Sequence, residues 1–275
     1  MCVKSAILNA HPISAQAALF YLGQETILIK CAGKHFLFDP YLTDYVDRNF
    51  STEQVVWQRN YPSPISPDEL DMIDYVFCSH DHGDHTDLET LSAIAAASPQ
   101  AKFFGSRPVV EAYRRCGIAQ DRIMLTEADK PLLLTEGITV TAIPAAHEEL
   151  HPDGQGSFLE LGFVVDANGL RFYHAGDCCP YDGLAERIHG ADAAFMPING
   201  RDYYRLRSDI IGNFDAVEAI HLAREAQVGL LVPLHYDLYA VNCVNPACFV
   251  DSVRTLSPCQ RFHLFVPGEK LIIEK

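Results

Sequence analysis

Ser79-His80-Asp81-His82-Gly83-Asp84-His85 sets three imidazoles and two carboxylates within the six residues after Ser79. The short apolar run Asp74 to Ser79 leads straight into it, so the cluster leaves a buried strand. Imidazole nitrogens and carboxylate oxygens are the donors that divalent ions of intermediate softness prefer, and a run this dense in them asks for a metal. Side chains two apart on an extended backbone point the same way, so His80 and His82 can chelate one ion. Asp84 and His85, beyond the Gly83 bend, can turn toward a second. One ion takes about four to six ligands, so the stretch implies two metal positions, or one with a ligand to spare.

Immediately downstream, Thr86 and Glu89 have capping-box spacing, Leu88, Leu91, Ile94 and Ala95 share one helical face, and Pro99 closes the segment. The cluster is therefore expected on a strand-to-helix loop. Three further candidates follow apolar runs: His147 after Val140 to Pro144, Asp177 after Leu170 to Ala175, and His235 after Leu230 to Pro233. Strand ends are where ligands distant in the chain can meet. Five imidazoles, two carboxylates and no thiol among them favour zinc, manganese or iron.

Further out, Ala18 to Leu22, Thr26 to Ile29 and His35 to Phe38 alternate with turn residues, as the strands of an antiparallel meander do. Asp44 to Asp68 mixes Tyr45, Phe50, Trp57 and Tyr61 with charges and three prolines and is expected to be a long functional loop. Strands are expected at Lys102 to Gly105, Ile138 to Ile143, Phe158 to Val165, Leu170 to Ala175, Ala193 to Met196 and Leu230 to Val232. A helix is expected over Phe214 to Ala226, capped by Asn213, with Val217, Ile220 and Ala223 on its apolar face. Two sheets with helices outside, in one domain spanning 1–275, account for this order.

The 275 residues are 48% hydrophobic and 21% charged, enough to bury a large core. A formal charge of −15 repels phosphate backbones, so nucleic acid is not an expected partner. Nine cysteines without a repeating spacing suit reduced thiols. Met1 to Ala10 lacks the pattern of a secretion signal and no apolar stretch is long enough to span a bilayer, so a cytoplasmic location away from membranes is expected.

The HxHxDH run His80 to His85, the later His147, the Gly176-Asp177 pair and the late His235 resemble, in order, the metallo-β-lactamase superfamily. The resemblance implies an α/β fold, a four-layered αββα sandwich. It also implies a first ion on His80, His82 and His147, a second on Asp84, His85 and His235, and Asp177 bridging both. More closely, Arg59 to Ile65, Pro197 to Tyr204, Gly212 to Asp215 and Pro233 to Asp237 resemble the L-ascorbate-6-phosphate lactonase branch. That branch implies opening of a phosphorylated sugar lactone, one or two divalent ions per chain with manganese or zinc foremost, a cytoplasmic setting and a homo-oligomer. In this chemistry the metals activate water and stabilise the oxyanion, with Asp84 and Asp177 as the catalytic carboxylates.

A phosphorylated small-molecule substrate needs a cationic clamp on so acidic a protein. Arg201, Arg205 and Arg207, with Tyr203 and Tyr204 on the loop after a strand end, are the candidates; a surface network with Asp202 and Asp209 is the alternative. Arg48 and Arg59 are rivals. His174 either orients a ligand or faces solvent, Tyr236 and Asp237 support His235, and His151 is a loop residue. Cys178 and Cys179 are expected to be buried or supporting rather than ligands. Lone histidines such as His11, His35, His189, His221 and His263 are expected to be ordinary core or surface residues. Two other functions fit the residues: a phosphodiesterase using the same metals, and a non-catalytic metal-binding protein.

Overall fold

The computed structural model describes residues 2–275. Fourteen strands form two seven-stranded sheets. The first holds β1 (Gln16–Gly23), β2 (Thr26–Cys31), β3 (Lys34–Phe38), β4 (Tyr75–Cys78), β5 (Lys102–Gly105), β6 (Ile123–Leu125) and, from the end of the chain, β14 (Lys270–Glu274). The second holds β7 (Pro131–Thr135), β8 (Ile138–Pro144), β9 (Leu161–Ala167), β10 (Leu170–His174), β11 (Ala193–Pro197), β12 (Leu230–Leu234) and β13 (Arg261–Phe262). Their orders are β14-β1-β2-β3-β4-β5-β6 and β13-β12-β11-β10-β9-β8-β7. Each begins as an antiparallel meander, β14/β1/β2/β3 or β7/β8/β9/β10, and continues as three parallel pairings.

The sheets face each other across one apolar layer. Leu19, Tyr21, Ile27, Ile29, Phe36, Phe38 and Phe77 from the first meet Val140, Phe163, Val165, Phe172, Phe195 and Val232 from the second. Alternate residues of the same strands point outward, where helices cover them. Leu91 and Ile94 of the helix Leu88–Ala97 and Val109 and Tyr113 of the helix Arg107–Arg115 pack on Leu37, Val76 and Phe103. Ile220 and Ala223 of the helix Ala216–Glu225, with Phe249 and Val253 of the helix Pro246–Leu256, pack on Val164, Tyr173, Ala194 and Leu231. The result is the four-layered αββα sandwich.

Helix starts differ from the sequence reading in an instructive way. Asp87, not Thr86, caps the helix after the cluster, accepting from the Glu89 N–H, while the Thr86 hydroxyl donates to the His80 carbonyl at 2.5 Å. Asp215, not Asn213, caps Ala216–Glu225 in a reciprocal box with Glu218. Asn213 is instead buried and donates to the Asn199 side chain at 3.1 Å. Val217 is exposed, at the rim of the face on which Ile220 and Ala223 are buried. The aromatic loop contains a helix, Tyr45–Phe50, and a 3-10 turn, Pro67–Glu69. The strand expected from Phe158 starts at Leu161, and the arginine-bearing loop is a short helix, Tyr203–Leu206. No helix among the described residues is long and apolar enough to cross a membrane.

Candidate metal centre

The seven candidate ligands leave four different strands and converge at one edge of the sandwich. β4 delivers His80, His82, Asp84 and His85, β8 leads to His147, β10 to Asp177 and β12 to His235. Gly176 is what lets Asp177 in: its φ is +58°, and a Cβ there would lie 2.4 Å from the Cβ of Ser79. His235 has a left-handed φ of 56°, an unfavourable backbone that non-glycine residues adopt where surrounding contacts hold them.

Their ligand atoms fall into two groups. Those of His80, His82, His147 and Asp177 lie within 4.8 Å of one another, as do those of Asp84, His85 and His235. Asp177 spans the two. Its Oδ2 is 3.7 Å from His147 Nε2, and its Oδ1 is 3.4 Å from His85 Nε2 and 3.5 Å from His235 Nε2. Asp84 Oδ2 lies 3.7 Å from His85 Nε2 and 3.3 Å from His235 Nε2. Ligand bonds of about 2.0–2.1 Å in a tetrahedron put the donors about 3.4 Å apart, which is the spacing observed. His80 Nε2, His85 Nε2 and Asp177 Oδ1 are buried without a hydrogen-bond partner, a costly arrangement unless something else takes their lone pairs. The residues present therefore fit divalent ions at both groups.

The electrostatics of the groups diverge. Burial drives the His80 pKa well below the ordinary histidine value and lowers His147 to about 4, leaving both rings neutral. Burial opposes charge on His85 and His235 too, but Asp177 and Asp84 beside them outweigh it and raise both. Burial works against ionised Asp177 and Asp84, and the neighbouring His235 and His85 overcome it, holding both carboxyls below the usual range.

Behind the ligands, Asp39 accepts from the Ser79 N–H at 2.7 Å and hydroxyl at 2.7 Å, and its Oδ2 is 2.8 Å from His85 Nδ1. This fixes His85 with Nε2 facing inward. Ser79 Oγ is 2.9 Å from His80 Nδ1. His174 does not face solvent: it is buried, stacks on Phe38 at 5.1 Å, and sits 2.8 Å from the Glu25 carbonyl. The sequence reading treated Asp39 as a turn residue and passed over Gln24 and Glu25. For Asp39 the signal was available, because it ends β3 just as Asp177 follows β10.

Residues 34–236 match the β-lactamase superfamily domain. The chain belongs to the metallo-β-lactamase superfamily. Among its relatives, a UPF0173 metal-dependent hydrolase of Opitutus terrae is 30% identical, over 92% of this chain and 98% of that one. An N-acyl-phosphatidylethanolamine-hydrolyzing phospholipase D of Caenorhabditis elegans is 26% identical over 87% of this chain and 71% of its own length. An isothiocyanate hydrolase from Delia radicum gut bacteria shares the fold, with a TM-score of 0.73 at 14% identity, covering 94% of this chain and all (100%) of that one.

In this metal-dependent hydrolase a cleft of about 590 Å³ opens onto His82, Asp84, His147, Asp177 and His235. Val46, Phe50, Val55 and Trp57 form one wall, and Arg207 with Ile210 and Ile211 another. Of the five arginines singled out by sequence, only Arg207 lines this cleft, its guanidinium 2.9 Å from the Tyr203 hydroxyl. Arg201 is held by both oxygens of Glu218, at 2.7 and 2.6 Å, and Arg205 by Asp202 and the Cys243 carbonyl. Arg48 pairs with Asp44 and Glu89, and the Arg59 guanidinium lies over the Tyr41 ring. Tyr203 does not line the cleft and is 63% exposed. Cys178 and Cys179 are buried outside both ligand groups. His151 is exposed beside Glu160. Tyr236 is in the outer core, and Asp237 accepts from the Tyr61 hydroxyl at 2.6 Å.

Proposed function

We propose that this hydrolase opens the ester bond of a small lactone or ester that has an apolar body and a single anionic group. The cleft carries this reading: Val46, Phe50, Val55, Trp57, Ile210 and Ile211 supply an apolar part of its lining, and Arg207 is its one arginine. Divalent ions on the seven ligands, manganese or zinc, supply Lewis acidity, making water nucleophilic and drawing charge from a carbonyl oxygen. The chain's own residues do the rest. Asp177 and Asp84 keep their charge beside the reacting centre, the hydrophobic walls exclude bulk water, and Arg207 orients the anionic end. Asp84 is partly exposed toward the cleft and is placed to pass a proton to the departing oxygen.

L-ascorbate 6-phosphate remains the first phosphorylated candidate. With Arg201 and Arg205 committed elsewhere, its phosphate meets one guanidinium among several aspartates, so an uncharged or singly charged lactone is the better fit. A phosphodiester is the second reading, supported by the relationship to the nematode phospholipase and by the same apolar walls. Manganese-loaded and zinc-loaded protein should be assayed against an acyl lactone, L-ascorbate 6-phosphate and a phosphodiester, with Asp177→Ala as control. Lactone opening with little phosphodiester cleavage is expected. Cleavage of the phosphodiester alone would replace the ester reading with the second.

A further inference from the structure

We propose that Gln24 is the positioning residue of the second metal position, holding Asp84 and His235 in register so that this position, and not the first, depends on it. The inference rests on the two-metal reading of the centre. Gln24 follows β1 in a left-handed conformation, φ 55°, and is 1% exposed, so its carboxamide is turned into the protein. Its Nε2 donates to Asp84 Oδ2 at 2.8 Å, the oxygen that faces His85 and His235. This is the hydrogen bond to Asp84 from outside the ligand cluster among the described residues. The carboxylate fixes which end of the amide points inward, since the reverse orientation would set two acceptors against each other.

The same residue grips His235. The His235 N–H donates to the Gln24 carbonyl at 3.3 Å; the 3.1 Å contact of Gln24 Nε2 with His235 Nε2 uses the lone pair an ion would take and yields to it. The strained left-handed backbone of His235 thus leans on Gln24. No hydrogen bond joins Gln24 to His80, His82, His147 or Asp177 among the described residues. One residue therefore ties two of the three second-group ligands, Asp84 by its side chain and His235 by its carbonyl, and leaves the first group alone. An oxygen ligand bound to a metal keeps a lone pair for such a donor, and losing it costs about 10–100-fold in metal affinity.

The test is manganese(II) binding to the purified full chain, by equilibrium dialysis with metal analysis, and by the electron paramagnetic resonance signal of a coupled manganese pair. Gln24→Met keeps the length and removes the donor; Gln24→Glu keeps the shape and replaces the donor with an acceptor. Wild type should bind two ions and show the coupled signal. Both variants should retain the first ion with unchanged affinity, weaken the second about 10–100-fold, and show the spectrum of an isolated ion. Circular dichroism and melting temperature confirm that each variant is folded, and a misfolded Glu variant leaves the Met variant to decide. Unchanged binding of both ions, or equal weakening of both, overturns the proposal while the two-metal centre stands. Tighter second binding in Gln24→Glu also overturns it, by making residue 24 a ligand. A wild-type chain that binds a single ion overturns both readings together.

Discussion

The two halves of the metal centre use the same residue types and are built differently. The second half is wired into the sandwich: Asp39 holds His85 and Ser79 together, and Gln24 holds Asp84. The first half is looser. His82 is exposed, His147 Nδ1 is buried without a hydrogen-bond partner, and His80 is steadied by Ser79. Charge differs as well. In the first half burial keeps His80 and His147 neutral, whereas the carboxylates of the second draw its imidazoles toward the protonated form. An ion entering the first half meets free lone pairs, and one entering the second must displace protons. Position one is therefore the less braced and the less encumbered by protons, position two the more firmly held, and both open onto the cleft.

Asp177 is the residue the halves share, so replacing it should do most damage. Asp177→Ala is expected to lower turnover by at least about a thousandfold, the scale of losing a preorganised electrostatic contact, and to reduce bound metal on direct analysis. Near-normal turnover would mean that the halves work independently. Asp39 comes next, because it touches only His85 among the ligands and acts on Ser79 from the same carboxylate. Read by dialysis, Asp39→Ala should weaken the second manganese affinity by about 10–100-fold and the first by less, because Asp39 reaches His80 only through Ser79; equal loss at both would erase the asymmetry. Arg207 lines the cleft onto which both halves open. Arg207→Ala should raise KM for an anionic lactone by about tenfold and leave kcat and the KM for a neutral lactone unchanged, as loss of uniform binding does.

The meeting of the seven candidate ligands was legible in the sequence because each sits at or just after the end of an apolar run, where period and composition are loudest. The strand β5, and the ends of β8, β10 and β12, were legible for the same reason. The strands β6, β7, β13 and β14 were not. β7 alternates exposed and half-buried residues, β13 has two residues, and β14 joins the sheet's edge from the far end of the chain. Edge strands bury one face at most, so their pattern is weak. Gln24 was hidden for another reason: it acts through neighbours distant in sequence and no local period marks it, whereas Asp39 at least shares a strand-end position with the ligands. The arginine loop was overread, because a run of cations near a strand end says nothing of the acids that fold back onto it. Glu218, lying 17 residues after Arg201, was the deciding partner.

The smallest expected effect separates the halves by pH alone. In the metal-free protein His85 and His235 have pKa values above the unfolded histidine value of about 6.5. A raised folded pKa contributes stability that is fully present below about pH 6.5 and is lost as pH rises through the folded value. His80 and His147 have depressed values, so they are neutral in the folded protein there and add only a small rise in stability as the last unfolded-state protons leave above about pH 6.5. Asp84 and Asp177, depressed as well, contribute stability that is lost only as pH falls below about 3.9, outside the same window. Metal requires the neutral imidazole, so its stabilisation grows as the protons leave. The melting temperature of chelator-treated protein should therefore fall between about pH 6.5 and pH 8.5, while that of the metal-loaded protein holds or rises. The gap should widen by a few degrees, at about 2–4 °C per kcal/mol for a chain near this size. The widening should shrink when His85 is replaced by alanine, with His235 supplying what is left, and persist when His147 is. A gap that stays constant in the unaltered protein would show that the second half is as proton-free as the first, and would remove the electrostatic part of the difference between them.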